Sequence, residues 1–162
     1  MKILIADDHP LTLQGTKSFL ESNGYRVVDA CSNGVSALNL IQLHLPDIAI
    51  LDINMPGMDG LDVAHKIQES KIRTKIILLT MHNEITLYNK ALEYGVYGYI
   101  LKEYALSELK NCLQEVMIGN HYSSESIKKD LVNDRSDGNE ELSKLTFSER
   151  KIVELVIQQK TT

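Results

Sequence analysis

The stretch IAILDINMPGMDG, residues 48–60, decides how the fold is read. Its first four residues are apolar with no polar residue between them, which suits a strand covered on both faces rather than one with a wet side. Asp52 ends the run, MPGMDG at 55–60 is rich in turn-formers, and Leu61, Ala64 and Ile67 then recur at helical spacing. A buried strand that passes through a turn into an amphipathic helix is half of a strand-helix-strand unit, so a parallel sheet is expected.

The same unit repeats on either side. KILIA at 2–6 runs into Asp7 and Asp8, Pro10 stands where the first turn of a helix tolerates proline, and Leu13, Thr16 and Leu20 form a stripe that stops at Asn23-Gly24. YRVVDA at 25–30 follows as a strand, Asn33-Gly34 as a turn, and Ala37, Leu38, Ile41 and Leu45 as one face of a helix ended by Pro46. Ile76 to Leu79 and Tyr97 to Leu101 are two further apolar runs with a helix near Ile85 to Tyr94 between them, and Leu106, Leu109, Leu113 and Val116 make the last stripe. Five strand-helix cycles in about 120 residues predict an α/β domain, a five-stranded doubly wound parallel sheet with helices on both faces.

Hydrophobic residues make up 43% of the chain and charged residues 24%, the balance of a globular protein that buries a core. No apolar run approaches the roughly 18 residues that cross a bilayer, and the opening MKILIADDHP turns acidic too soon for a secretory signal, so a cytoplasmic protein with no membrane partner is expected. Cys31 and Cys112 have no metal-ligand spacing and suggest no disulfide framework. A net charge of −5 argues against this stretch wrapping nucleic acid by itself. The histidines His9, His44, His65, His82 and His121 are scattered, and no metal role is expected of them because ligands cluster.

From His121 to Lys144 the sequence turns polar and charged, which reads as a linker with one short helix over about 124–132. Helical periodicity resumes at Leu145-Thr146-Phe147 and continues through Ile152, Val153, Leu155 and Val156. A single helix of that length cannot bury its own apolar face, so it is a fragment or it docks on something. The domains are therefore expected at 1–120, 121–144 and 145–162.

Ligands of open parallel sheets bind outside the carboxyl ends of the strands. Asp7 and Asp8 follow the first apolar run, Asp52 ends the third, Thr80 the fourth and Lys102 the fifth, so three carboxylates, a hydroxyl and an ammonium should meet at one rim. Crowded carboxylates cannot all ionise without a counter-charge. Mg²⁺, which takes a few carboxylates, waters and phosphate oxygens, resolves the conflict, and Lys102 adds a point charge suited to an incoming phosphoryl group. Taken singly, Asp8 could be a helix cap, Thr80 structural and Lys102 solvated; their joint placement at strand ends points to acceptance of phosphate on a carboxylate.

IADDHP at 5–10, LDINMPGMDG at 51–60, LLT at 78–80 and GYILK at 98–102 together resemble the receiver domain of bacterial two-component response regulators, over roughly residues 1–120. DDHP, GYILK and the later LTFSER narrow the resemblance to regulators with a LuxR/NarL-type helix-turn-helix. The resemblance implies a flavodoxin-like strand order 2-1-3-4-5, with Asp52 as the phosphorylated aspartate. It implies Asp8 as the main acidic Mg²⁺ ligand, Asp7 as its water-mediated neighbour and Asn54 as the position whose backbone carbonyl completes the metal shell. Thr80 would hydrogen-bond the phosphoryl oxygen, Lys102 would pair with it, and Tyr99 would turn inward when Thr80 moves. The implied partners are a sensor histidine kinase and a second copy on phosphorylation. The implied chemistry is a phosphoacceptor that catalyses its own phosphorylation and dephosphorylation rather than an enzyme acting on other substrates.

Two positions depart from the usual pattern. Met81 stands where many receivers carry a small residue, which leaves acyl-phosphate lifetime open, and Glu103 follows Lys102 where many carry proline, so a trans bond is expected there. LTFSERKIVELVIQ resembles the opening of the output domain, with Thr146 and Glu149 at capping-box spacing, while a plain docking helix is the alternative. No recognition helix is supplied up to Thr162, so DNA would be reached only through a complete output domain, the chain having been shortened or continuing beyond this sequence. Two other functions compete. One is a stand-alone receiver that signals by protein contacts or acts as a phosphate sink. The other is a phosphohydrolase of the haloacid dehalogenase class, which Asn54 opposes because that class has a second aspartate there.

Overall fold

The structure, a computed structural model, describes residues 1–81 and 83–136. Strands and helices alternate: β1 (Lys2–Ala6), α1 (Pro10–Ser22), β2 (Arg26–Cys31), α2 (Gly34–His44), β3 (Ile48–Asp52), α3 (Gly60–Glu69), β4 (Lys75–Thr80), α4 (Ile85–Glu93), β5 (Gly98–Leu101), a 3₁₀ turn (Lys102–Tyr104), α5 (Ala105–Met117), β6 (Tyr122–Ser123) and α6 (Glu125–Ser136). All strand pairs are parallel, in the order β2-β1-β3-β4-β5-β6.

Strand side chains alternate between the two faces of a pleated sheet, and here both faces are buried. Ile3, Ile5, Ile48, Ile50, Ile77, Leu79 and Ile100 pack with Leu20 of α1 and with Leu109, Leu113 and Val116 of α5. Leu4, Ala6, Ala49, Leu51, Leu78, Tyr99 and Leu101 pack with residues of α2, α3, α4 and α6. The central strand β3 is buried throughout, the physical reason its sequence is continuously apolar.

The turn after β3 is fixed by a close approach. A side chain on Gly60 would place its Cβ 2.5 Å from the Asp52 carbonyl oxygen, so only glycine lets α3 begin against the strand end. The Gly60 N–H donates to the Ile53 carbonyl at 2.8 Å, and Asp59 with Asp62 forms a reciprocal capping box.

The sheet is one strand longer than the five expected from sequence. Tyr122 and Ser124 donate their N–H groups to the carbonyls of Tyr97 (2.8 Å) and Tyr99 (3.0 Å), and the Leu101 N–H donates to the Ser124 hydroxyl at 3.0 Å. This short strand leads into α6, whose Ile127 and Leu131 are buried in the cluster that holds Tyr88, Leu92 and Tyr99. The expected helix over about 124–132 therefore packs on the sheet domain. The rest of the expected linker and the helix expected within 145–162 lie outside the described residues. No cis peptide bond occurs among the described residues, and the bond before Glu103 is trans.

Replacing Ile127 by alanine should lower the unfolding free energy of the domain by about 2–4 kcal/mol, the cost of a cavity in a packed core. Urea denaturation checks this; a loss below about 0.5 kcal/mol would show that α6 is not part of the cooperative unit.

Candidate functional site

Because the strands run the same way, the ends of β1, β3, β4 and β5 open on one rim, and β1 and β3 flank the point where strand order reverses. Asp7 leaves β1 with its N–H held by the Cys31 carbonyl at 3.0 Å and its side chain buried. Asp8 is more exposed, and Asp52 is buried at the end of β3. Lys102 enters from the end of β5: its ammonium donates to Asp52 Oδ2 (2.9 Å) and Asp7 Oδ1 (3.1 Å) and lies 3.0 Å from Asp7 Oδ2. Asn54 is exposed on the turn, its N–H donating to Asp52 Oδ1 at 3.3 Å.

Burial pushes the Asp52 carboxyl up to about 6; the neighbouring Asp7 charge adds to the effect, and the Lys102 hydrogen bond opposes it. Thr80 is fully buried at the end of β4, paired in register with Leu101. Tyr99 is buried beside it, its hydroxyl raised to about 12 by burial while the nearby Thr80 hydroxyl works the other way, without the geometry of a formal hydrogen bond. The Tyr99 ring meets Tyr88 of α4 edge to face, centroids 5.3 Å apart. Met81 is 64% exposed, directed to solvent rather than packed at the rim.

One residue of the site was passed over in the sequence. The His9 ring nitrogen Nδ1 stands 2.9 Å from Asp7 Oδ1, 3.0 Å from Asp8 Oδ1, 3.5 Å from Asp52 Oδ2 and 2.9 Å from the Lys102 ammonium. The hydrogen bond to Asp7 raises its pKa, the Lys102 charge lowers it, and Asp8 raises it again. The histidines were expected to be scattered away from the site, but His9 lies among the carboxylates. Its position directly after Asp7 and Asp8 was the available signal. Ligand atoms of Asp7, Asp8, His9 and Asp52 all lie within 4.8 Å of one another. Asp7 Oδ2 is buried and has no partner with hydrogen-bond geometry, only the Lys102 ammonium as an ion pair at 3.0 Å, so one cation serves two buried carboxylates, and the cluster of carboxylate oxygens is a donor set that suits a hard divalent ion.

Residues 3–114 match the response regulator receiver domain. The chain belongs to that family. The receiver is 37% identical over 110 residues to the probable transcriptional regulatory protein NarL of Mycobacterium tuberculosis, covering 67% of this chain and 51% of that protein. It is 31% identical over 161 residues to the nitrate/nitrite response regulator protein NarL of Escherichia coli K12, covering 96% of this chain and 74% of that protein. A crystal structure of a LuxR-family two-component response regulator from Aurantimonas superposes with a TM-score of 0.79 at 28% identity, over 83% of this chain and 97% of that one. These relatives are NarL- and LuxR-type regulators, and the receiver spans about half the length of the mycobacterial protein. Among its described residues, no helix is long and apolar enough to cross a membrane.

Without divalent ions, the Asp52 charge should destabilise the receiver. Its carboxyl titrates higher in the folded than in the unfolded chain, near 3.9 for a free aspartate, so the penalty is full above about pH 6 and vanishes as pH falls towards 4. Asp52→Asn should therefore raise stability by about 1–3 kcal/mol at pH 7, and the gain should shrink on acidification. Urea unfolding across that range measures both; a loss of stability at pH 7 would mean that pairing with Lys102 outweighs the burial.

Proposed function

We propose that this receiver accepts a phosphoryl group on Asp52 from the phosphohistidine of a sensor histidine kinase, in an Mg²⁺-dependent reaction, and uses it to control transcription. The observation that carries the reading is the buried Asp52 carboxylate held between Asp7 and the Lys102 ammonium at the mouth of the sheet. An oxygen of Asp52 attacks phosphorus, the P–N bond to the donor imidazole breaks, and the imidazole leaves with the electron pair. Lys102 is within reach of the oxygens on which charge gathers and acts by position rather than by moving a proton.

Mg²⁺, when bound, neutralises the phosphoryl oxygens and the crowded carboxylates. Asp8, Asp52 and the Asn54 backbone carbonyl would hold it directly and Asp7 through water, and the gathering of Asp7, Asp8 and Asp52 oxygens within 4.8 Å supports that assignment. The same groups would orient a water for hydrolysis of the acyl phosphate, so the receiver would catalyse both its own phosphorylation and its own dephosphorylation.

Thr80 meets phosphoryl oxygens only after transfer, so it separates the two states, and Tyr99 beside it would carry the difference to α4. The output would follow through a change in self-association, with a homodimer as the phosphorylated form, and through DNA contacts made by a complete output domain. The proposed division is a receiver at 1–120, a connection at 121–144 whose first part rests on the receiver, and the first helix of a LuxR/NarL-type helix-turn-helix at 145–162.

Acetyl phosphate with Mg²⁺ should label the protein at about one group per chain, and Asp52→Asn or excess chelator should abolish labelling; stoichiometric label that survives either change would move the site elsewhere. Thr80→Ala should take up label yet show no phosphorylation-dependent dimerisation in analytical ultracentrifugation. Normal dimerisation of that variant would remove Thr80 from the switch.

A further inference from the structure

We propose that His9 is a direct ligand of the cation in the acidic pocket, and that its imidazole nitrogen shifts the site's preference from Mg²⁺ towards first-row transition ions such as Mn²⁺. The inference rests on the reading of the pocket as a cation site and adds a ligand to it.

The first ground is spacing. Around a cation with ligands at about 2.1 Å, adjacent ligand atoms of an octahedron lie about 3.0 Å apart and opposite ones about 4.2 Å. His9 Nδ1 lies 3.0 and 3.5 Å from oxygens of Asp8 and Asp52, the two carboxylates assigned to the cation directly, and all of these atoms fall within 4.8 Å of one another. A nitrogen that merely hydrogen-bonds has one proton, enough for one carboxylate and not for two.

The second ground is what now fills the space. The Lys102 ammonium stands among both oxygens of Asp7, Asp52 Oδ2 and His9 Nδ1, all within 3.1 Å. In the tautomer that carries its proton on Nε2, Nδ1 turns its lone pair to the ammonium in company with the carboxylates, as a ligand does to a metal. Asp7 Oδ2, buried and without hydrogen-bond geometry, meets the ammonium only as an ion pair at 3.0 Å, so a single charge is shared by two buried carboxylates.

The third ground is placement. The His9 backbone N–H donates to Asp7 Oδ1 at 2.9 Å and α1 starts at Pro10, so the main chain that carries the ring, itself 55% exposed, is fixed at the mouth. Among the described residues the other histidines are engaged elsewhere: His44 with Asp29, His65 stacked on Tyr94, and His121 stacked on Tyr97. Carboxylate, carbonyl and water ligands suit Mg²⁺ and Mn²⁺ alike, whereas an imidazole nitrogen adds affinity for the transition ion and little for Mg²⁺.

Calorimetric titration of the full chain with Mn²⁺ and with Mg²⁺ tests this, using wild type, His9→Ala and His65→Ala as control. His9→Ala should weaken Mn²⁺ binding by about tenfold and Mg²⁺ by less than about threefold. Pulsed electron paramagnetic resonance of bound Mn²⁺ should show nitrogen coupling in wild type and His65→Ala that is lost in His9→Ala. Equal weakening of both ions, tighter binding of both, or no nitrogen coupling in wild type would overturn the assignment while leaving the cation site intact. Failure of wild type to bind either ion would instead overturn the cation site itself, and the ligand role with it.

Discussion

The rest of the molecule is organised around an electrostatic conflict: Asp7 and Asp52 are both buried and both within hydrogen-bond reach of one ammonium, that of Lys102. Buried like charges repel, and an ion pair taken out of water seldom repays its own desolvation. Such an arrangement survives only where a rigid frame holds it. The frame is the parallel sheet, whose two apolar layers are packed from β1 to β5 and whose strand ends fix where each charge emerges. The conflict leaves the rim with more carboxylate than ammonium charge, the electrostatic condition under which a divalent cation can be held.

The sheet was legible because burial on both faces leaves continuous apolar runs, and those runs also mark where the strands end. Asp7, Asp8, Asp52, Thr80 and Lys102 could be placed at one rim from topology alone. What topology could not supply was side-chain reach. His9 was set aside as one of several scattered histidines, yet the turn between β1 and α1 leaves its ring nitrogen within 3.5 Å of three carboxylates. Periodicity describes which way a strand or helix faces and says nothing about a residue in the turn between them.

The sixth strand escaped for a different reason. Tyr122–Ser123 is too short to show an alternation, and the serines around it read as loop composition. Its stability comes from the tertiary structure: an open edge on β5, where the Tyr97 and Tyr99 carbonyls accept the N–H groups of Tyr122 and Ser124 and the Leu101 N–H finds the Ser124 hydroxyl. An exposed strand edge is a liability that proteins cover, and here the chain covers it with its own next segment.

That covering segment links the charged rim to the end of the described chain. Leu101, whose N–H is tied to Ser124, immediately precedes Lys102, and Tyr99 shares its core cluster with Ile127 and Leu131 of α6. Tyr99 cannot leave its pocket against Tyr88 without opening space in the cluster that holds Ile127 and Leu131. Interiors packed at crystal density pass such displacements on rather than absorb them. From the end of β5, which carries Lys102, to α6 is the width of one strand, with the hydroxyl of Ser124 and the side chain of Ile127 at its far edge.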